Sequence, residues 1–383
     1  MLASLAAFWF ALAAVAYAYV GYPAVLWLAS RLRAPAIRSY GARTDWPTVT
    51  MLVSAYNEEQ VIAEKIRNAL SLDYPAALLK IIVVSDGSTD GTHQIVKAFA
   101  DQRVMLRHYE GRLGKTACLN RVMPAVTSDI VVFSDANSMY GARALRALVA
   151  PFVDSSVGFV TGWTTYMSAG GGSGSLGIYA KLELMTKELE SQLSSCIGAD
   201  GAIFAIRREL YVPLKDYDIN DLVLPLSINE RGYRGVLQRD ATCSEHDAGG
   251  SKREFQRQVR ITSRTIRAIA NYRQLLNPFR FGFLSFELFS HKASRLLVPF
   301  FLVALLISNL LLAAQGGFYL MALSAQAILY CLAAMGTIIP TTNPVGRVVE
   351  TARTFIAVNV AIGLAWIKYM QGETFVTWSP TRR

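Results

Sequence analysis

The chain has 383 residues, 52% hydrophobic and 17% charged, with a formal net charge of +10. That length holds one sizeable domain plus membrane segments, or two small domains. The four cysteines, Cys118, Cys196, Cys243 and Cys331, are scattered with no CxxC spacing, which argues against a cysteine-built metal site or a disulfide scaffold and fits a reducing compartment. The positive charge points to anionic lipid and phosphate ligands, because no nucleic-acid motif accompanies it.

The apolar residues are unevenly spread. No Asp, Glu, Lys or Arg precedes Arg31, and none lies between Arg295 and Arg347. A membrane helix needs about 20 apolar residues. The first gap therefore predicts one span and the second two, turning at Gly316 and Gly317. A third tract, near Thr354 to Ile367, spans only if Arg353 and Lys368 snorkel to the headgroups. The first tract lacks a basic n-region and outruns a signal-peptide core, so it reads as a retained anchor. Arg31, Arg33, Arg38 and Arg43 follow it directly, and the positive-inside rule places residue 31 onward in the cytoplasm. The expected organisation is a transmembrane helix over 1–30, a basic linker over 31–46 and a cytoplasmic α/β domain over 47–275. An interfacial amphipathic helix rich in Phe follows over 276–296, then two to three membrane helices over 297–370 and a tail over 371–383.

Val49–Ala55 is a buried-strand candidate. Asn57 stands where it can cap a helix marked by Val61, Ile62, Ile66 and Leu70. Ile81 to Val84 predict a strand over Lys80–Ser85, followed by a turn over Asp86–Thr92 and a helix from His93 to Ala100. A strand at Val104–His108, a helix near Lys115–Val126 and a strand at Ile130–Ser134 come next. Strands alternating with helices imply a doubly wound sheet whose ligand lies beyond the carboxyl ends of the strands. Asn57, Glu58, Asp86, Asp135 and Asn137 occupy those ends. Gly170–Gly174 reads as a flexible loop, and residues 175–275 as mixed and mostly helical.

Several clusters carry chemistry, each with a plainer alternative. The Asp86–Thr92 turn either aims carboxylates at a ligand or is a tight turn with Asp90 capping a helix. Asp135-Ala136-Asn137 offers oxygen donors suited to Mg²⁺ or Mn²⁺, or forms an Asx turn. Gly114-Lys115-Thr116 is similar to a phosphate-binding loop, but Tyr109 stands where that loop requires glycine, which leaves Lys115 as a candidate diphosphate contact. Asp221 is either a helix first-turn carboxylate or a general base. Arg253, Arg257, Arg260, Arg264 and Arg267 form one cationic helical stripe, suited to solvent, to lipid headgroups or to a leaving diphosphate.

Taken in order, Val53 to Glu59, Ser85 to Thr92, Gly114-Lys115, Ser134 to Asn137, Gly198 to Ala202, Asn220-Asp221 and Gln256 to Arg260 resemble family 2 of the glycosyltransferases. This is the membrane-embedded group containing hyaluronan, chitin and cellulose synthases and many exopolysaccharide enzymes, and the resemblance covers nearly the whole chain. It implies a GT-A fold, an α/β nucleotide-binding domain with a Rossmann-like mixed sheet, beside transmembrane and interfacial helices. By resemblance Tyr56, Glu58 and Asp86 hold the nucleobase and ribose, and Asp135 and Asn137 hold Mg²⁺ or Mn²⁺ and the diphosphate. Asp221 matches the catalytic base, Gly198, Asp200 and Gly201 the acceptor-side loop, and Arg257 and Arg260 the basic motif near the leaving group.

The pattern departs from the family in three places. Asn137 stands where many members have Asp, Ile261 where processive members have Trp, and Asn220 where an acidic residue often precedes the base. The resemblance implies an inverting transfer from a nucleotide-diphosphate sugar, UDP-linked in the commonest case, to a lipid-linked or glycan acceptor in exopolysaccharide or cell-surface glycan synthesis. The expected setting is the cell membrane, multi-pass, with the catalytic domain cytoplasmic and no nucleic-acid partner. A processive polysaccharide synthase and a non-catalytic nucleotide-binding membrane partner are the alternatives.

Overall fold

The computed structural model describes residues 1–32, 45–167, 178–246, 251–335 and 344–377. Arg33, Arg38 and Arg43 of the linker, the Gly170–Gly174 loop and the tail from Trp378 lie outside the described residues. The chain divides into two compact units. One comprises Met1–Val25, Gly250–Ala270 and Phe286–Thr374; the other comprises Leu26–Gly249, Asn271–Ser285 and Phe375–Arg383.

The chain opens with helices α1 (Leu2–Ala16) and α2 (Tyr22–Leu32), joined by a π-helical turn. The α/β region follows as β1 (Val49–Ala55), α3 (Ile62–Leu70), β2 (Leu79–Asp86), α4 (Thr92–Lys97), β3 (Val104–Tyr109), α5 (Lys115–Val122) and β4 (Ile130–Asp135). It continues through β5 (Met139–Tyr140), α6 (Ala144–Val149), β6 (Val157–Met167), α7 (Ile178–Leu193), β7 (Phe204–Arg207), α8 (Asn220–Glu230) and β8 (Arg234–His246). The remainder is helical: α9 (Ser251–Asn271), α10 (Pro278–Phe281), α11 (Phe283–Leu288), α12 (Ser294–Leu312), α13 (Gly317–Met335) and α14 (Pro344–Met370).

The strands form one eight-stranded mixed sheet in the order β3-β2-β1-β4-β7-β6-β8-β5. β1 lies parallel to both β2 and β4, β7 runs antiparallel between β4 and β6, and β8 is parallel to β6. β1, β2 and β4 are buried along nearly their whole length because helices cover both faces, which is why they read as unbroken apolar runs. The chain winds from β1 through β2 to β3, then returns to place β4 on the other side of β1. That reversal opens a crevice at the carboxyl ends of β1 and β4, where an open α/β sheet binds its ligand.

One sequence expectation is filled out here and another changes. Residues 175–275 are mixed and mostly helical as expected, through α7, α8 and α9, but β7 and the long β8 lie among them and complete the sheet. β7 is only four residues, and β8 carries Arg, Asp, Cys and Glu instead of an apolar run. Their pairing with β6 defines them, and no local pattern announces it. Asn57 does not cap the helix after it: α3 begins at Ile62 with Val61 as its N-cap residue. Asn57 instead takes a left-handed φ of 52° and accepts a hydrogen bond from the Thr89 amide at 2.8 Å.

The other unit holds most of the apolar helical residues. Leu2–Leu32, Phe283–Gln315, Gly317–Met335 and Val345–Met370 are each long and apolar enough to cross a membrane. Phe10, Leu310, Met321 and Val360 are exposed on them, as lipid-facing side chains would be. The Phe-rich stretch is not one separate helix. Gly282, at φ 54°, breaks it, and from Phe283 the helix runs on through Gln315.

Candidate active site

The site forms at the crevice between β1 and β4, in the register where Ser54 pairs with Asp135. The segment after β1 and the turn after β2 brace each other. The Asn57 amide donates to Ser88 Oγ at 3.1 Å, the Glu58 amide to Thr92 Oγ1 at 2.9 Å and the Glu59 amide to Asp90 Oδ2 at 3.1 Å. Glu59 Oε2 in return accepts from the Gly91 amide at 2.8 Å. Asp90 also accepts from the Thr92 amide and hydroxyl, so it starts α4 and is not a ligand-facing carboxylate. Gly87 is required by its φ of 70°, and a Cβ there would stand 2.3 Å from the Gly111 carbonyl oxygen.

Asp86 ends β2 and is 1% exposed. Its carboxylate accepts from the Leu113 amide at 2.7 Å and the Gly114 amide at 3.1 Å, which fixes the loop into α5. Arg112 in that loop lies 3.7 Å from Asp86 and 3.2 Å from the Tyr56 ring. Arg112 is a member of the cluster that sequence reasoning missed. Its one signal is the placement of an arginine between Gly111 and Gly114 at the ligand edge.

Lys115 opens α5 and its ammonium donates to Asp135 Oδ1 at 2.6 Å. Burial works against its charge, yet the negative charges of Asp135, Asp221 and Glu245 outweigh this and hold it above the ordinary lysine range. The carboxylate and amide oxygens of Asp135 and Asn137 are the donor type that Mg²⁺ and Mn²⁺ prefer, and the Asp135 side chain is 39% exposed. Among the described residues no group of three or more His, Cys, Asp and Glu can hold a metal. The protein would thus supply few ligands, and a bound diphosphate the others.

Asp221 sits in the first turn of α8. Its backbone carbonyl accepts from the Ala199 amide at 2.8 Å, tying the helix to the Gly198–Gly201 turn. That turn is pinned to β6 by Asp200, which accepts from the Thr164 amide at 3.1 Å and donates its own amide to Thr161 Oγ1 at 2.8 Å. A Cβ at Gly201 would stand 2.7 Å from Asp221 Oδ2. Glycine here lets the carboxylate lie against the turn. Burial raises the Asp221 carboxyl above its ordinary range, Asp200 and Asp135 reinforce the shift, and Lys115 and Lys187 oppose it. A raised carboxylate is a stronger proton acceptor at neutral pH. Gly201→Ala should push that carboxylate aside and lower kcat by about 100-fold, since misplacement of order 1 Å costs that much. Metal-dependent nucleotide binding in the same variant should stay near the wild-type value.

Tyr56, Glu58, Asp86, Lys115, Asp135, Asn137, Gly198, Asp200, Gly201 and Asp221 therefore all belong to the sheet-bearing unit. Arg257 and Arg260 do not. They lie on the part of α9 that belongs to the other unit, where Arg257 pairs with Glu254 at 3.0 Å and Arg260 is half-buried.

Residues 50–212 match the model of glycosyl transferase family 2. The chain carries a family 2 glycosyltransferase domain. A β-monoglucosyldiacylglycerol synthase from a Nostoc species is 33% identical over 118 residues, 30% of this chain and 25% of that protein. A poly-β-1,6-N-acetyl-D-glucosamine synthase from Staphylococcus aureus is 24% identical over 204 residues, 51% of this chain and 49% of its own. The chain thus spans about a quarter to a half of the curated relatives it matches. A solved mannosyltransferase from Pyrobaculum calidifontis, in complex with GDP-mannose and Mn²⁺, superposes with a TM-score of 0.69 at 23% identity, over 96% of this chain and 99% of that one. The GT-A architecture expected from the sequence is therefore the observed fold, and the family 2 domain contains β1 to β4 and the Gly198–Gly201 turn.

Proposed function

We propose that the chain transfers a sugar from a nucleoside-diphosphate sugar, with a UDP-sugar the expected donor, to a hydroxyl of a lipid-linked or glycan acceptor at the cytoplasmic face of the cell membrane. The observation that carries this reading is the Asp221 carboxylate, half-buried against Gly201 and poised as a base within the field of the Lys115–Asp135 pair. Asp221 takes the proton of the acceptor hydroxyl as its oxygen bonds to the anomeric carbon. The bond from that carbon to the diphosphate oxygen breaks, the nucleoside diphosphate leaves with the electron pair, and the anomeric centre inverts. Lys115 stabilises the charge that develops on the leaving diphosphate. Mg²⁺ or Mn²⁺ bound by Asp135 and Asn137 would supply Lewis-acid stabilisation of the same charge. Tyr56 and Glu58 contact the nucleoside, while Asp86 shapes that pocket through Arg112 and the Leu113–Gly114 backbone. Gly198, Asp200 and Gly201 line the acceptor side, and Arg257 and Arg260 are assigned to the leaving group on the resemblance alone.

The activities for which the relatives are named support both a lipid acceptor and a growing polysaccharide, and the GDP-mannose and Mn²⁺ held by the Pyrobaculum protein support the donor class. The apolar helices favour a lipid-linked acceptor, for which a membrane bundle without a polymer path suffices. The longer match to the poly-N-acetylglucosamine synthase is the observation behind the processive alternative. Full-length protein in detergent, given Mn²⁺ and a panel of nucleotide sugars with and without a membrane lipid extract, separates these. Release of nucleoside diphosphate that needs the extract supports the lipid acceptor. Release without it, accompanied by a lengthening product, supports the processive synthase. Nucleotide binding with no release from any donor points to a non-catalytic partner.

A further inference from the structure

Behind the Asp135–Asn137 turn lies a buried charged cluster that the proposed reaction does not use. Lys65, on α3, is 0% exposed, its ammonium donates to the Ser138 carbonyl oxygen, and it lies 4.2 Å from the centre of the Tyr140 ring. Ser138 is also 0% exposed; its hydroxyl donates to Glu245 Oε1 on β8 at 2.5 Å and its amide to the Asp135 carbonyl oxygen at 3.3 Å. One turn further along α3, Asn68 brackets Tyr140, donating to its carbonyl and accepting from its amide, each at 2.8 Å. Pairing of β5 with β8, Met139 with Ser244 and Tyr140 with Cys243, holds the same segment from the other side.

A buried lysine is expensive. Taking an ammonium out of water costs free energy that only good geometry and hydrogen bonds repay. Here burial pushes the Lys65 ammonium down to about 8, against the raising influence of Cys243, Asp135 and Glu245. Packing alone would be served as well by methionine. The charge has a use if something nearby must be held in one geometry, and what it holds is the segment that follows Asp135-Ala136-Asn137. The arrangement resembles an outer shell of hydrogen bonds that orients metal ligands.

We infer that Lys65 and Glu245 are positioning residues that clamp Ser138 between them and thereby fix the Asp135–Asn137 turn for the divalent metal and diphosphate. The inference rests on the donor-site reading above. Lys65 grips the Ser138 carbonyl and Glu245 its hydroxyl, so the turn is held by two opposite charges. Glu245 also lies in the field of Lys115, which places the clamp beside the pair that meets the diphosphate. Because α3 follows directly on the braced Asn57–Glu59 segment, one short helix serves both the nucleoside side and the metal side of the crevice.

The test is Mn²⁺ titration of nucleoside-diphosphate binding by the full-length protein in detergent, with UDP and GDP as probes, for wild type, Lys65→Met, Ser138→Ala and Glu245→Gln, beside the thermal unfolding midpoint of each. The expected result is a Mn²⁺ half-saturation raised about tenfold or more in all three variants, the usual cost of losing an outer-shell partner. The unfolding midpoint of Lys65→Met should stay level or rise. Should Lys65→Met fail to fold, Ser138→Ala and Glu245→Gln decide, since the first removes the hydroxyl contact, the second removes the negative charge from it, and both keep the buried charge of Lys65. Wild-type Mn²⁺ half-saturation in the folded variants would overturn the clamp while leaving the donor site standing. Wild-type protein that binds neither probe with Mn²⁺ would instead overturn the donor-site reading beneath it.

Discussion

Asp221→Asn is expected to lower sugar transfer by about 1,000-fold, within the range that a positioned general base contributes. The substitution keeps the shape of the side chain and its place on Gly201 but removes the proton acceptor. Nucleoside-diphosphate binding should survive, because Tyr56, Lys115 and Asp135 are untouched. Stability should move the other way. Burial raises the Asp221 carboxyl above its ordinary value of 3.8, so the folded state holds the charged form less favourably than the unfolded chain does. Its cost to folding is fully present above the raised value, shrinks as pH falls through it, and is gone below 3.8. At neutral pH Asp221→Asn should therefore unfold at an equal or higher temperature than wild type, and the difference should vanish on acidification. In the wild type the acid limb of kcat/KM should lie above the ordinary carboxylate range. Thermal melts and pH–rate profiles of the two proteins measure all of this. A less stable variant that retains turnover would remove Asp221 from its role.

Asp135→Ala is expected to abolish the Mn²⁺ dependence of nucleotide binding and to reduce turnover by a factor on the order of 100 or more, the scale of a lost charge-stabilising contact. The change deletes the one carboxylate of the metal turn and leaves the Lys115 ammonium without its 2.6 Å partner. Asp135→Asn should be milder, since an amide oxygen still offers a donor, as Asn137 already does. Binding measured against Mn²⁺ concentration separates the two losses: a metal effect moves the half-saturation, and a Lys115 effect weakens binding at saturating metal too. Metal-dependent binding that persists unchanged in Asp135→Ala would place the ion elsewhere.

What the sequence made legible follows its periodic segments. β1, β2 and β4 are buried on both faces and announce themselves as apolar runs, and the polar residues ending them mark the crevice without further information. The apolar helices were legible for the same reason, including the short final tract that extends to 26 residues once Val345 to Arg353 join it. β7 and β8 were not, because their identity depends on β6 and not on their own composition. Within the site, residue type pointed to Asp221, Asp135 and Lys115, but geometry reassigned several neighbours. Asn57 and Glu59 cross-brace with the Asp86–Thr92 turn, and Asp86 faces inward to the Leu113–Gly114 amides. Arg112, Lys65 and Glu245 sit in unremarkable local contexts, and only the folded sheet brings them beside the motifs. No local rule predicts that a lysine on an amphipathic helix will be fully buried, because burial of charge is normally avoided.

The most direct test of the whole account is release of nucleoside diphosphate from a nucleotide sugar by the full-length protein, with Mn²⁺ and with chelator, for wild type beside Asp221→Asn. The account predicts release by wild type that requires the metal, and none above background from Asp221→Asn although that variant still binds the nucleotide. Equal release from both proteins, or release indifferent to the chelator, would contradict it.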